Sequence, residues 1–362
     1  MLGGCGRRGF DARDDGALGA DTAILDAPPA DAPFDVNVAF VTSTVQAPTS
    51  LGGVAGADAV CNGLAEAAGL PGTYLAWLPT SAETVPVRLA AARGWVRRDG
   101  RPVADTIAEL LAGGWYPIDI DEAGAIVRSS IAPGSVVATA THRDGSADAS
   151  DCAGYTPAGT GQSVITGLAD FGRGMWLDAT SASCDTPMRL YCFGIDHTRP
   201  VVAAAPGSRR AFVSSAAFVN STGLAGADAL CQGDATAANL MGTFRALLAD
   251  VGTTAISRFA TTGAPWARVD GVLLASTPAA FAAAITLAPL ELSADGVHVA
   301  SSTVTTGAPS PSAPGSTAST CAGWTSSGTG ETRTISPTGS AALFADLTTT
   351  CVVADRVYCL EP

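Results

Sequence analysis

Gly53-Val-Ala-Gly-Ala-Asp-Ala-Val-Cys61 and Gly223-Leu-Ala-Gly-Ala-Asp-Ala-Leu-Cys231 are one stretch written twice, differing only at Val/Leu positions. The cysteines carry the repeat further. Cys61, Cys152, Cys184 and Cys192 are separated by 91, 32 and 8 residues; Cys231, Cys321, Cys351 and Cys359 by 90, 30 and 8. A frame repeated at this interval means a duplicated domain. Four cysteines per copy, none odd, mean two disulfides per copy in an oxidising compartment. The pairing itself stays open at this point, since eight cysteines allow about a hundred arrangements.

Shorter echoes flank the frame. Ala39-Phe-Val-Thr-Ser43 answers Ala211-Phe-Val-Ser-Ser215, and Cys152-Ala-Gly-Tyr-Thr156 answers Cys321-Ala-Gly-Trp-Thr325. Arg189-Leu-Tyr-Cys192 answers Arg356-Val-Tyr-Cys359. The expected organisation is a tether over 1–35, a first domain over 36–196, a linker over 197–208 and a second domain over 209–362. The tether is rich in Asp, Ala and Pro and has too few large apolar side chains to fold alone. Leu2-Gly-Gly-Cys5 looks like the end of a lipoprotein signal, with Cys5 as the lipidated residue. The basic start and apolar run that such a signal needs are not in the preceding four residues; a free thiol in a tail is the plain alternative.

Within a copy, strand and helix alternate. Val38–Thr42 and Tyr74–Leu78 read as strands. Val54 to Ala68 reads as a helix, with Val54, Ala57, Cys61, Leu64, Ala65 and Ala68 at three- and four-residue steps. That periodicity buries Cys61, and Gly69 is a natural stop. A second helix is expected near Thr106–Leu111, and Met188–Phe193 alternates as a last strand. The fold class is therefore α+β.

These marks resemble the endostatin domain, the globular carboxy-terminal module of certain collagens, which is related to C-type lectin-like domains. The resemblance rests on Gly-x-x-Gly-Ala-Asp-x-x-Cys followed by Gly72-Thr-Tyr-Leu-Ala-Trp-Leu78, and on Ser181-Ala-Ser-Cys184 with Leu190-Tyr-Cys192. The same features occur in bacterial secreted or lipoprotein domains of unassigned function. The resemblance implies two tandem endostatin-like, C-type-lectin-like domains, each with two nested disulfides, after a disordered tether. It implies the pairs Cys61–Cys192, Cys152–Cys184, Cys231–Cys359 and Cys321–Cys351.

Charge and motifs narrow the function. The net charge is -13 with a pI near 4.5. That disfavours nucleic acid, heparin-like polyanions and anionic membranes as partners. No apolar run is long enough for a transmembrane helix. Asp119-x-Asp121-Glu122-x-Gly124 resembles an acidic calcium loop but lacks the later ligands; a solvated turn is the expectation, and no metal or other cofactor is implied. His142-Arg143-Asp144 invites a Ser-His-Asp reading, yet no Gly-x-Ser-x-Gly elbow occurs. Arg93, Arg97, Arg98 and Arg101 form a basic group, read as a solvated hairpin with Arg97 and Arg98 as candidate contacts. Tyr155 and Trp324, at the base of disulfide loops, are the aromatic candidates for ligand binding. Asp58 with Arg88, and Asp228 with Arg258, are expected structural ion pairs.

The expected function is an exported, lipid-anchored bacterial surface or adhesion protein. It is non-enzymatic and recognises a surface protein or glycan without calcium, through long loops near 128–160 and 297–330. A structural envelope protein is the alternative, and a hydrolase the third reading.

Overall fold

The computed structural model describes residues 35–80, 82–128, 135–299, 303–326, 328, 331–335, 344 and 347–362. Cys5 and the tether lie outside the described residues.

The central strand of the first half is β1 (Asn37–Val41), buried along its whole length. Successive side chains point to opposite faces of a strand. Val38 and Phe40 accordingly join one apolar cluster, Ala39 and Val41 another. The first face is covered by α1 (Val54–Ala67), which buries Ala57, Cys61 and Ala65. The helix ends as its sequence asks: Gly69 turns left-handed at φ 69° and the Leu70 amide closes on the Ala65 carbonyl at 2.8 Å.

The strands β2 (Tyr74–Ala76), β3 (Trp95–Val96), β4 (Pro102–Ala104) and β8 (Tyr191–Gly194) complete a five-stranded sheet in the order β2-β8-β1-β3-β4. The pair β1–β3 is parallel; β1–β8 and β2–β8 are antiparallel. A smaller antiparallel sheet is made of β5 (Val137–Ala138), β6 (Ser163–Gly167) and β7 (Thr180–Ser183).

The second half repeats this order. Strands β9 (Arg209–Val213), β10 (Arg245–Ala246), β11 (Trp266–Arg268) and β15 (Tyr358–Leu360) form a sheet ordered β10-β15-β9-β11. It is covered by α2 (Gly223–Ala237), which buries Ala227, Cys231 and Ala235. A three-stranded sheet again follows, from β12 (Val304–Thr305), β13 (Glu331–Ile335) and β14 (Leu347–Thr350). Asn239, at φ 57°, stands where the first half has Gly69.

Four disulfides join Cys61 to Cys192, Cys152 to Cys184, Cys231 to Cys359 and Cys321 to Cys351. In each half one bridge ties the helix to the last strand and the other clips the small sheet. Among the described residues no helix is long and apolar enough to cross a membrane. The four disulfides fit an extracytoplasmic protein.

Candidate functional site

The helix-to-strand clamp is built twice from the same atoms. Asp58 accepts from the Ala76 amide at 2.8 Å and pairs with Arg88 at 2.6 Å; Arg88 also donates to the Ala76 and Leu78 carbonyls. Asp228 accepts from Ala246 at 2.9 Å and pairs with Arg258 at 2.5 Å. Among the described residues, Arg189 and Arg356 have no carboxylate partner within 4.0 Å. Each caps two backbone carbonyls, Thr42 and Ser43 in one half and Ser214 and Ser215 in the other.

A second buried ion cluster escaped the sequence reading. Arg97 is 2 % exposed and so cannot serve as the surface contact expected of it. It pairs with Asp119 at 2.5 Å and Asp99 at 2.6 Å, and its guanidinium lies 5.6 Å from the Tyr116 ring centre. Burial works against the charge of Arg97, but Asp119 and Asp99 outweigh it and hold the guanidinium charged. Burial pushes the Asp119 carboxyl up to about 6 despite Arg97 and Arg128. The second half matches it with Arg268, paired with Asp270 at 2.6 Å and 3.6 Å from Glu291. The available signal was Trp95-x-Arg97-x-Asp99-Gly100, which recurs as Trp266-x-Arg268-x-Asp270-Gly271. Arg98 keeps partial exposure.

The acidic turn is not solvated either. Asp119, Asp121 and Glu122 are all buried. Asp121 accepts from the Ala123 and Ala125 amides, and Glu122 from the Ser43 amide and hydroxyl. With Asp119 held by arginines, each carboxylate already has protein donors. Among the described residues no three His, Cys, Asp or Glu side chains are disposed to hold a metal ion.

Tyr155 and Trp324 are fully buried, contrary to their expected role as ligand platforms. The reason is backbone geometry. Cys152, Ala153 and Tyr155 adopt left-handed φ values of 56°, 51° and 60°, and Cys321, Ala322 and Trp324 repeat them at 51°, 58° and 62°. Such residues are costly without support. The Asp151 and Thr320 side chains supply it by accepting the amides of Gly154 and Gly323. The turn folds the aromatic inward, where Tyr155 Oη donates to the Pro79 carbonyl at 3.1 Å and Trp324 Nε1 to the Ala249 carbonyl at 2.8 Å.

His142 faces carboxylates on both sides, Asp148 3.0 Å from Nε2 and Asp178 3.7 Å from Nδ1.

What remains is an open polar groove of about 670 Å³ beside the Cys152–Cys184 bridge. Ser150, Gln162, Ser163, Ser181 and Ser183 line it. Ser163 and Ser183 are direct partners across β6–β7, so their hydroxyls share one face. The nearby acids are already engaged: Asp185 accepts from the Gly161 amide and Asp148 from the Ser150 amide. The lining itself contains no ionisable side chain. Of the loops expected to carry the ligand, 128–160 contributes Ala149 and Ser150, while Ser163 on β6 and Ser181, Ala182 and Ser183 on β7 make half of the lining.

No known family model matches the chain, and no curated protein does.

Proposed function

We propose that this chain is an extracytoplasmic, non-enzymatic binding protein. Two endostatin-like modules of C-type-lectin-like fold stand on the tether, lipidated at Cys5, and the first presents a calcium-independent site for a neutral, hydroxyl-rich glycan. The groove over β6 and β7 carries this reading. A row of short hydroxyls with one amide offers both donors and acceptors to sugar hydroxyls. Its lack of charge and the protein's acidity disfavour polyanionic sugars. With Tyr155 and Trp324 folded inward, no aromatic platform from that pair adds stacking energy, so single-site affinity is modest and clustered ligands are favoured.

A glycan array probed with the full chain, with calcium and with a chelator, tests the proposal. Binding to neutral glycans that survives the chelator is expected. Silence across the array, or signal abolished by the chelator, contradicts it.

A protein partner is the second reading, supported by one observation. Val219, Val352 and Val353 are 54 %, 62 % and 41 % exposed. Asn220 holds their two segments together by donating to the Cys351 and Val353 carbonyls. Retention of envelope proteins by the full chain, lost on Val352→Ser, supports this reading over the glycan one.

A further inference from the structure

The segment expected to link the halves is fastened to the first. The Asn37 side chain brackets His197, donating to its carbonyl at 2.7 Å and accepting from its amide at 3.0 Å. A Cβ on Gly94 would lie 1.9 Å from the Arg199 carbonyl oxygen. The Val201 amide donates to Asp105 at 3.0 Å, and Ala203 packs into an apolar cluster that spans both halves. That cluster buries Tyr116 of the first half with Val272 and Ala288 of the second. The Leu273 amide donates to Tyr116 Oη at 2.8 Å. Two glycines let the halves close. A Cβ on Gly172 would lie 2.3 Å from Glu291 Oε1, and one on Gly113 2.8 Å from His298 Cε1.

The buried ion clusters of the two halves are closed differently. In the first half, Arg97 reaches Asp119 at 2.5 Å and Asp99 at 2.6 Å, and Arg128 meets Asp119 at 3.2 Å. All four residues are its own. In the second half Glu291 stands where Asp119 does. It precedes Leu292, whose carbonyl takes the Val213 amide as that of Ile120 takes the Val41 amide. Yet Glu291 stays 3.6 Å from Arg268, beyond a hydrogen bond. First-half backbone fills in. The Arg173 amide donates to the Glu291 carboxylate, and the Gly114 carbonyl accepts from Arg268 Nη2 at 3.4 Å. Arg268 and Glu291 are each 1 % exposed. Charges buried so deeply are costly unless hydrogen bonds complete them.

We infer that the junction is an obligate interface with a direction: the first half completes the buried ion cluster of the second, whose stability depends on it, while the first half stands without the second. The second module is then built onto the first, and the two tips are held in one arrangement. A ligand that engages both tips must match that spacing, whereas a flexible linker would let each tip search alone.

Native-state hydrogen exchange of the full chain tests this at two buried amides. Leu247 donates to the Tyr358 carbonyl in the second half and Trp77 to the Tyr191 carbonyl in the first, both at 2.8 Å. Gly172→Ala changes only the first half, at a residue without a left-handed φ, and the three atoms nearest the added Cβ all belong to Glu291. It is expected to lower Leu247 protection about ten- to a hundredfold, the scale of overpacking a buried contact, with Trp77 protection unchanged. Tyr116→Phe removes the acceptor of the Leu273 amide and should lower Leu247 protection about three- to tenfold, again sparing Trp77. Unchanged Leu247 protection in both variants would mean two independent modules in contact. Equal losses at Leu247 and Trp77 would mean that the dependence has no direction. Either result overturns the inference.

Discussion

The tips of the two halves share a frame and expose different chemistry. Beside the Cys152–Cys184 bridge, serines and a glutamine face outward and leave an open, uncharged groove. Beside the Cys321–Cys351 bridge, Thr348 and Thr350 stand exposed where the first half has Ser181 and Ser183, while the hydroxyls before the bridge bond within their own loop. Ser319 donates to the Gly307 carbonyl at 2.7 Å, Thr320 to the Ser316 carbonyl at 2.7 Å, and Ser316 meets Ser319 at 3.1 Å. Val219, Val352 and Val353 add exposed apolar surface there. The repeated residues hold the fold in both halves, and the surface beside the two bridges differs.

If the frame is shared, breaking it should cost both halves alike. Replacing Cys61 and Cys192 together by serine opens a loop of 131 residues, and replacing Cys231 and Cys359 opens one of 128. Each change is expected to lose about 4–5 kcal/mol in thermal unfolding. A loss confined to one half would mean that the frames are not equivalent.

The buried arginines sharpen the comparison. Arg97→Ala leaves Asp119 with only the half-exposed Arg128 and should cost about 3–5 kcal/mol near neutral pH. Asp119 has its carboxyl raised to about 6 in the fold, so below that value it is neutral and needs no cation. Without Arg97 the carboxyl rises further, so the cost of Arg97→Ala should shrink as pH falls toward about 6, measured by denaturant unfolding at several pH values. A cost that grows toward acid would contradict the assigned role of Asp119.

Tyr155→Phe removes one donor and leaves the Pro79 carbonyl unmet. About 1–2 kcal/mol of stability should go, with glycan binding intact. Lost binding at unchanged stability would return Tyr155 to the ligand site.

The ends of each half were legible because local physics sets them. The three- and four-residue spacing of Ala57, Cys61 and Ala65 dictates the buried stripe of α1, and the left-handed Gly69 ends it where the pattern stops. The middle was not legible, because its partners are far apart in sequence. Arg97 reaches Asp119 across 22 residues, and a cluster of arginines reads as a surface until the acids that bury it are seen. Tyr155 and Trp324 were misplaced for a different reason. A run of four left-handed residues sends the aromatic inward at the loop base, and nothing in Cys-Ala-Gly-aromatic signals that conformation. The groove combines Ser150 with two strands of the smaller sheet, a pairing that residue periodicity alone did not disclose.

The most direct measurement is the titration of an array-selected neutral glycan against the full chain and against Ser181→Arg, with thermal unfolding in parallel. An exposed edge-strand change of this kind should move stability by no more than about 0.5 kcal/mol. The account predicts unaltered melting and at least about a tenfold loss of affinity, the equivalent of roughly 1.4 kcal/mol. Equal affinity in the two proteins would place the ligand somewhere other than the groove of β6 and β7.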